Sequence, residues 1–418
     1  MALKNISVSC EETMGAGPGG EFYLGDALAL IDEIQEKYLG QVKCVYLDPP
    51  FLTGQSFEMN VRVTEADWKA MSGSVRVHTF DDCKEPEEYY GMMRRVMEAA
   101  YHMLRDDGAM FVHVDYRAHA RLRIAADEIF GEENFVNEII WSYKSGGRAR
   151  GSFPRKHDII LFYRKTKDMD FNINAVLEKR SSPPTNHMRK HVDPDGRVYR
   201  SIRSGGRVYT YYDDDPVAPT DVWDDISHLQ QKDYERTGYD TQKPLKLLRR
   251  IERCVTREGD IVLDMFAGAC TALDAANGDK RRFVGVDACP LTVNIARRRL
   301  ADTKVTYHLN ASEPDRACCE AEVVNGVGLY HVTLSSFRLE EDVLGRNGFE
   351  AVDNWAAGYL DGGVFRAASH FERSQKQPRL ATELRVPVYD GVPAIRIGDI
   401  GGGSHYFMLD MPDESFMR

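Results

Sequence analysis

Between Asp260 and Leu300 the chain follows one rhythm: a short apolar run, a glycine turn, a helix-forming stretch, and a second apolar run that ends in an acid. Asp260 to Asp264 reads as a strand running into Met265-Phe266-Ala267-Gly268. Cys270 to Ala276 reads as a helix, Arg282 to Asp287 as a strand, and Leu291 to Leu300 as a helix closing on Arg297, Arg298 and Arg299. Few architectures accept this order. Strand, tight turn, crossover helix and strand form a Rossmann-like βαβ unit, which requires a parallel sheet with helices packed on its faces. The spacing therefore predicts an α/β fold.

The first part of the chain alternates in the same way. Val42 to Leu47 is a short apolar run, a buried strand stopped by Asp48-Pro49-Pro50. From Glu85 to Arg105, Tyr89, Met93, Val96, Met97, Ala100 and Leu104 recur at helical spacing, and Asp107-Gly108 closes the helix. Ala109 to Val114 reads as the next strand and Arg121 to Phe130 as a short helix ending at Gly131. Later, Thr241-Gln242-Lys243-Pro244 opens a helix through Cys254, with Thr241 as candidate N-cap and Pro244 in the first turn.

Two regions break the alternation. Residues from about 142 to 238 are rich in Arg, Lys, Gly, Tyr and Pro, with turn signals at Ser145-Gly146-Gly147, Pro183-Pro184, Asp195-Gly196 and Ser204-Gly205-Gly206. Asp158 to Tyr163 and Arg207 to Tyr212 look like strands between those turns. From about Thr306 to Arg418 glycines and short runs of Val, Phe, Tyr and Ile suggest a separate, mostly β domain. The divisions this implies are 1–141, 142–236, 237–305 and 306–418.

Charge sharpens the picture. The net charge is −11, yet Trp141 to Thr210 carries 16 Lys and Arg against 6 Asp and Glu. A basic insert in an acidic chain points to a polyanionic partner more than the total does. No apolar run approaches the roughly 18 residues of a membrane span, and no membrane partner is expected. The first twenty residues lack a basic stretch followed by an apolar core, so no secretory signal is expected. The eight cysteines include no Cys-x-x-Cys pair. Neither a disulfide framework nor a zinc site is indicated, no metal is predicted, and a reducing cytosol is the expected compartment.

Two motifs carry chemistry. Asp264 ends a strand, Gly268 sits in the turn, and Asp287 ends the next strand 23 residues further on. A glycine turn lets backbone approach a ligand, and the second acid can accept both hydroxyl hydrogens of a ribose. No G-x-G-x-x-G and no phosphate-binding G-x-x-x-x-G-K-[ST] is present, so an adenosine-containing ligand fits better than a dinucleotide or a nucleoside triphosphate. The second motif is Asp48-Pro49-Pro50-Phe51. Consecutive prolines fix the backbone just past a strand end and leave carbonyls free to accept. A carboxylate and a proline carbonyl can receive both hydrogens of an exocyclic amino group, and the adjacent aromatic can stack on the ring bearing it. These are the groups needed to hold a flipped-out base.

Taken together, these motifs resemble the N6-adenine/N4-cytosine DNA methyltransferases. The order, base-handling motif first and cofactor motif last, is similar to the permuted group that contains the modification subunits of type III restriction systems. Further stretches support the resemblance: Tyr23-Leu24-Gly25-Asp26, Phe130-Gly131-Glu132-Glu133-Asn134-Phe135, Glu138-Ile139-Ile140-Trp141, Lys144-Ser145-Gly146-Gly147-Arg148, Pro154-Arg155-Lys156-His157-Asp158 and Thr237-Gly238-Tyr239-Asp240-Thr241-Gln242-Lys243-Pro244. It covers roughly residues 21 to 305.

The resemblance implies a Rossmann-like S-adenosylmethionine-dependent methyltransferase fold. Residues 1–141 would form its catalytic half, 142–236 a target-recognition insert and 237–305 the cofactor-binding half. It assigns Asp48, Pro49, Pro50 and Phe51 to catalysis. It assigns Asp26, Thr241, Gln242, Lys243, Pro244, Asp264, Phe266, Gly268 and Asp287 to S-adenosylmethionine. Lys144, Arg148, Arg150, Arg155 and Lys156 become the candidates for contact with double-stranded DNA. The implied reaction moves a methyl group to the exocyclic amino group of a flipped base. Asp rather than Ser or Asn before the prolines points to adenine N6. A second copy of the chain and a separate restriction subunit are the protein partners it leaves open.

Two departures stand out. Cys270 replaces the second glycine of the family's Phe-x-Gly-x-Gly-Thr loop, and Asp240 replaces a common proline. A side chain at 270 is expected to crowd the cofactor or shift the backbone. A homologue that binds DNA or cofactor without turnover therefore stays open, and so does an amino-methyltransferase acting on RNA or protein, because Asp-Pro-Pro motifs serve those substrates as well. Trp141, Trp223 and His157 read as structural, and Cys318 and Cys319 as inert small side chains.

Overall fold

The computed structural model describes residues 3–63, 65, 74–143, 150–180, 188–230, 232–309, 317–374 and 376–410. Its centre is five parallel strands in the order Val305–His308, Gly20–Leu24, Arg282–Asp287, Ile261–Asp264 and Val42–Leu47, with Leu104–Val114 parallel beyond the last. Every residue of the Val42–Leu47 strand is buried. Such a strand needs cover on both faces, and the pleat divides its side chains between them. Cys44 and Tyr46 join one core; Val42, Val45 and Leu47 join the other.

The two faces are covered by different parts of the sequence. Helices Ala27–Tyr38, Pro86–Met103 and His119–Phe130 pack on one. Helices Leu245–Val255, Thr271–Gly278 and Leu291–Arg299 pack on the other. The βα crossovers thus travel in opposite directions from the adjacent strands Val42–Leu47 and Ile261–Asp264. That boundary is a topological switch point, where the loops at the carboxyl ends diverge and leave a crevice.

Most expected elements are present with small shifts at their ends. The helix expected over 85–105 runs Pro86–Met103 and passes directly into a strand that begins at Leu104, not at Ala109. Thr241 does not cap the following helix: Pro244 holds that position and the helix starts at Leu245, because Asp240 and Thr241 form a turn closed by the Gln242 N–H on the Tyr239 carbonyl.

The middle region is rooted in the sheet. His157–Arg164 pairs antiparallel with Leu104–Val114 and with Phe135–Ser142, and Val222–Trp223 adds parallel to Phe135–Ser142. A second, three-stranded sheet, Arg189–Val192, Val198–Ser204 and Arg207–Tyr212, stands away from it. Trp141 and Trp223 are buried, and their indole N–H groups donate to the carbonyls of Ile226 and Thr220.

The last region is rich in strands, and they divide: Cys318–Asn325, Leu329–Arg338 and Glu383–Pro387 form a separate three-stranded sheet, whereas the others join the central one. Cys10–Thr13 pairs with Val305–His308 on one side and Val364–Glu372 on the other, so Val352–Asp361, Val392–Asp399 and Ser404–Met408 continue the central sheet. A buried ion cluster reinforces the join: Arg297 donates to Glu11 at 2.5 Å, and Arg396 lies 3.3 Å from the other Glu11 oxygen. Sequence spacing hid this because the bridging strand lies at the opposite end of the chain. All eight cysteines are free thiols. Among the described residues no helix is long and apolar enough to cross a membrane.

Candidate active site

The crevice at the switch point opens into a cavity of about 520 Å³. Four parallel strands deliver their carboxyl ends to it: Gly25 and Asp26 after the first, Asp48 to Phe51 after the second, and Asp264 and Asp287 at the ends of the other two. Gly401 also lines it, so the C-terminal strands reach the site.

On the cofactor-motif side the loop holds itself. Asp264 accepts from its own turn, from the Phe266 N–H at 2.9 Å. Asp287 accepts from the Gly268 N–H at 2.7 Å, the Cys289 N–H at 2.8 Å and the Thr292 hydroxyl at 3.1 Å. Burial pushes both carboxyls above the usual range. Gly268 has φ +45°, and a Cβ there would meet the Tyr239 ring at 3.3 Å. These three bonds leave one acceptor position on Asp287, which lines the cavity, for a ligand hydroxyl. Asp26 lines the same cavity while its carboxylate caps the Ala27–Tyr38 helix, accepting from the Leu28 and Ala29 N–H groups at 2.9 and 3.2 Å.

Cys270 does not crowd this space. It adopts the left-handed conformation (φ 54°, ψ 30°) that glycine would hold, and its side chain is fully buried in the core. It is absent from the cavity lining, whereas Ala269 and Thr271 on either side are present. The departure is accommodated by directing the thiol inward, which corrects the expectation of crowding.

The base-handling motif is held by residues far away in sequence. Lys243 donates to both Asp48 oxygens, at 2.8 and 2.6 Å, and its ammonium lies 5.1 Å from the Phe51 ring centre. Lys243 therefore acts on the candidate catalytic carboxylate. Gln242 lines the cavity, yet its amide is engaged internally, accepting from Thr237 and donating to the Glu235 carbonyl. Thr241 and Phe266 line the cavity; Pro244 lies outside it at the helix start.

Asp82 is the residue that sequence reasoning missed most clearly. It is 2% exposed, and its carboxylate accepts from the N–H groups of Phe51, Leu52 and Thr53 at 3.0, 2.8 and 2.8 Å, and from the Thr53 hydroxyl at 2.8 Å. The backbone of Asp82 bonds Gly54 and Gln55 as well. Successive N–H groups that converge on one carboxylate form an anion-holding nest. This one secures Leu52 in a left-handed turn (φ 56°) directly after Phe51. Nothing in the local sequence around Asp82 marks it.

A second missed group lies beneath the motif. Buried His113 shares a 2.9 Å hydrogen bond between Nδ1 and the Tyr46 hydroxyl, and its Nε2 lies 3.2 Å from Asp158. Asp158 also accepts from the Tyr143 hydroxyl at 2.9 Å. Burial raises the Asp158 carboxyl, but His113, the Lys243 charge and the Tyr143 hydroxyl together hold the acid below its ordinary value. The Phe51 ring stacks over His113, centres 5.9 Å apart at 29°. His157, beside Asp158 in sequence, is exposed and outside this network. Across the cavity, Phe57 and Phe80 stack at 5.0 Å, and Phe80 lies 6.4 Å from Tyr239.

Three of the five candidate DNA-contacting residues lie among the described residues. Lys144 and Arg148 lie outside the described residues. Arg150 is exposed; Arg155 is exposed with its guanidinium 4.1 Å from the Tyr116 ring centre; Lys156 is half-buried. Among the described residues no cluster of His, Cys, Asp and Glu is arranged to hold a metal ion.

Comparison with known proteins agrees with this geometry. The model of a family described as DNA methylase, covering N6 and N4 methyltransferases, matches residues 42–298. The type II methyltransferase M.EcaI of Enterobacter cloacae is 25% identical over 307 residues, 62% of this chain and 65% of that protein. The DNA adenine methyltransferase YhdJ of Escherichia coli K12 is 25% identical over 310 residues, 74% of this chain and 90% of the relative. The Mod subunit of the type III restriction-modification enzyme StyLTI of Salmonella typhimurium LT2 is 23% identical over 335 residues, 63% of this chain and 51% of the subunit.

Proposed function

The chain belongs to the N6/N4 DNA methylase family, and on that premise we propose that it is a site-specific DNA methyltransferase acting on adenine N6. One observation carries the reading: a single cavity joins Asp48-Pro49-Pro50-Phe51 to Asp264, Gly268 and Asp287. S-adenosylmethionine fits the second group, since half-buried Asp287 lines the cavity with an acceptor position left for a ribose hydroxyl and the Gly268 turn admits close approach. When bound, that cofactor supplies an electrophilic methyl group on a sulfonium.

The chain's own residues do the rest. Asp48 and the Pro49 carbonyl accept the two hydrogens of the base amino group, which draws the nitrogen toward sp³ geometry and frees its lone pair. Phe51, braced on His113, stacks on the base. The Asp48 carboxylate stabilises positive charge developing on the nitrogen. Most of the rate enhancement on this reading is positioning. Double-stranded DNA is the substrate, and the reaction belongs in the cytoplasm. One relative is by name a modification subunit, so a second copy and a separate restriction subunit belong among the partners to test.

The deciding experiment is modification-sensitive sequencing of DNA from a methylation-free host expressing the chain, with Asp48→Ala as control. The expected result is N6-methyladenine in one short motif, absent in the control. Unmodified DNA, together with methylation of RNA or protein by the purified chain, overturns the reading.

A further inference from the structure

We propose that the turn at residues 399–403, contributed by the C-terminal strands, is a wall of the cofactor pocket and sets cofactor affinity through its seat on Pro290 and Leu291. The inference rests on the reading of Asp287 as an acceptor for the cofactor's ribose. It gives a ligand-binding part to a segment beyond residue 298, where the match to the DNA methylase family ends.

The turn joins two strands of the extended sheet, Val392–Asp399 and Ser404–Met408. Gly401, Gly402 and Gly403 let the chain reverse there, and buried Asp399 closes it. The Asp399 carboxylate accepts from the Gly401 and Gly403 N–H groups at 2.7 and 3.0 Å and from His405 Nε2 at 2.9 Å. The Gly402 N–H donates to the Asp399 carbonyl at 3.1 Å, and the Asp399 N–H to the Gly403 carbonyl at 3.0 Å. A turn bonded at every one of these groups has one shape and transmits force as a unit.

It sits directly on the segment that follows Asp287. Gly401 lines the cavity together with Asp287, Ala288, Cys289, Pro290 and Leu291. Gly402 has φ +92°, and a Cβ there would collide with the Pro290 carbonyl and lie 2.8 Å from the Leu291 nitrogen. The contact is backbone on backbone, so any side chain at 402 must push the two segments apart. Buried Asn294 ties the same place. Its amide donates to the Asp399 carbonyl at 2.7 Å, and its own carbonyl accepts from Asn354 at 2.9 Å.

The segment so braced is the one that holds Asp287, which accepts from the Cys289 N–H and the Thr292 hydroxyl on either side of Pro290 and Leu291. Pro290 and Gly402 also border a second cavity of about 190 Å³, so Pro290 has open space on that side and Gly402 is its backbone support. Displacing the turn therefore moves both a wall of the pocket and the acid that faces the ligand.

The test uses the full-length chain and S-adenosylhomocysteine, which binds without reacting. Affinity is measured by calorimetry for wild type, Gly402→Ala and Gly362→Ala. Gly362 is another left-handed glycine (φ +57°) in the C-terminal strands, with open space around it. Gly402→Ala is expected to weaken binding by about tenfold or more, the scale of one hydrogen bond to a charged group, and Gly362→Ala to bind as wild type does. In the wild-type chain the amides of residues 400–403 are expected to exchange hydrogen more slowly once the ligand is bound. Unchanged affinity in a folded Gly402→Ala, an equal loss in Gly362→Ala, or unchanged exchange at 400–403 in a wild-type chain that binds the ligand overturns this inference and leaves the proposed function standing. If Gly402→Ala does not fold, the exchange measurement decides. A wild-type chain that binds neither S-adenosylhomocysteine nor S-adenosylmethionine overturns both.

Discussion

Two loops leave neighbouring parallel strands at the same end of the sheet, and they are held in opposite ways. The loop after Ile261–Asp264 is supported locally. Asp264 bonds its own turn, Asp287 on the adjacent strand takes the Gly268 N–H, and a left-handed Cys270 starts the next helix. The loop after Val42–Leu47 is supported from a distance. Asp82 clamps residues 51–53, and Lys243, 195 positions away in sequence, holds Asp48. A cofactor site can be built by one contiguous βαβ unit. A site that must hold a reacting group at a defined angle draws on both halves of the chain.

The largest expected effect comes from the remote-held loop. Asp48→Ala should lower kcat by about a hundredfold to a thousandfold or more, with cofactor affinity unchanged, because it removes the group that stabilises developing charge. A tritium-transfer assay with calorimetry checks both, and retained transfer would break the comparison.

Asp82→Ala should follow, with kcat down about a hundredfold, the scale of a small misplacement in a reacting geometry. Cofactor affinity should again hold. Asp82→Asn, which keeps one acceptor oxygen, should recover part of the loss. If a folded Asp82→Ala retains full kcat, the clamp is only structural.

Lys243→Met should destabilise the chain by leaving Asp48 unpaired at a half-buried position. The pair is not fully withdrawn from water, its side chains being 11% and 17% exposed. A double-mutant cycle with Asp48→Asn should therefore show a coupling of about 1–2 kcal/mol in urea unfolding. Additive losses would mean that the two residues act independently.

The smallest effect is expected in the self-supported loop. Cys270→Gly relieves a left-handed conformation worth about 1–2 kcal/mol and loses a buried side chain of similar worth. Unfolding stability should change by less than about 1 kcal/mol, with kcat and cofactor affinity unchanged. A tenfold gain in cofactor affinity would restore the reading in which Cys270 crowds the site.

The unevenness of the two loops explains what was legible beforehand. Asp264, Gly268 and Asp287 lie within one strand–turn–helix–strand pattern, so periodicity alone locates them. Asp48-Pro49-Pro50-Phe51 is visible because two prolines after an apolar run are conspicuous. Asp82, His113 and Asp158 carry no such mark. Each is an ordinary acid or imidazole in its own segment, and its role exists only when strands from separate parts of the chain lie side by side. The same limit hid the partner of Asp48: Lys243 appeared within a motif, but the motif could not say which charge it would meet.

Residue order alone determined the parallel α/β sheet, the two strand-end motifs and the basic character of the middle region, because local period, turn chemistry and charge are properties of short segments. Tertiary structure decided that Lys243 grips Asp48, that Asp82 shapes the loop bearing Phe51, that Cys270 turns inward, and that the terminal strands extend the same sheet. Those contacts join residues far apart in the chain, and only packing settles which of many compatible partners each buried polar group receives.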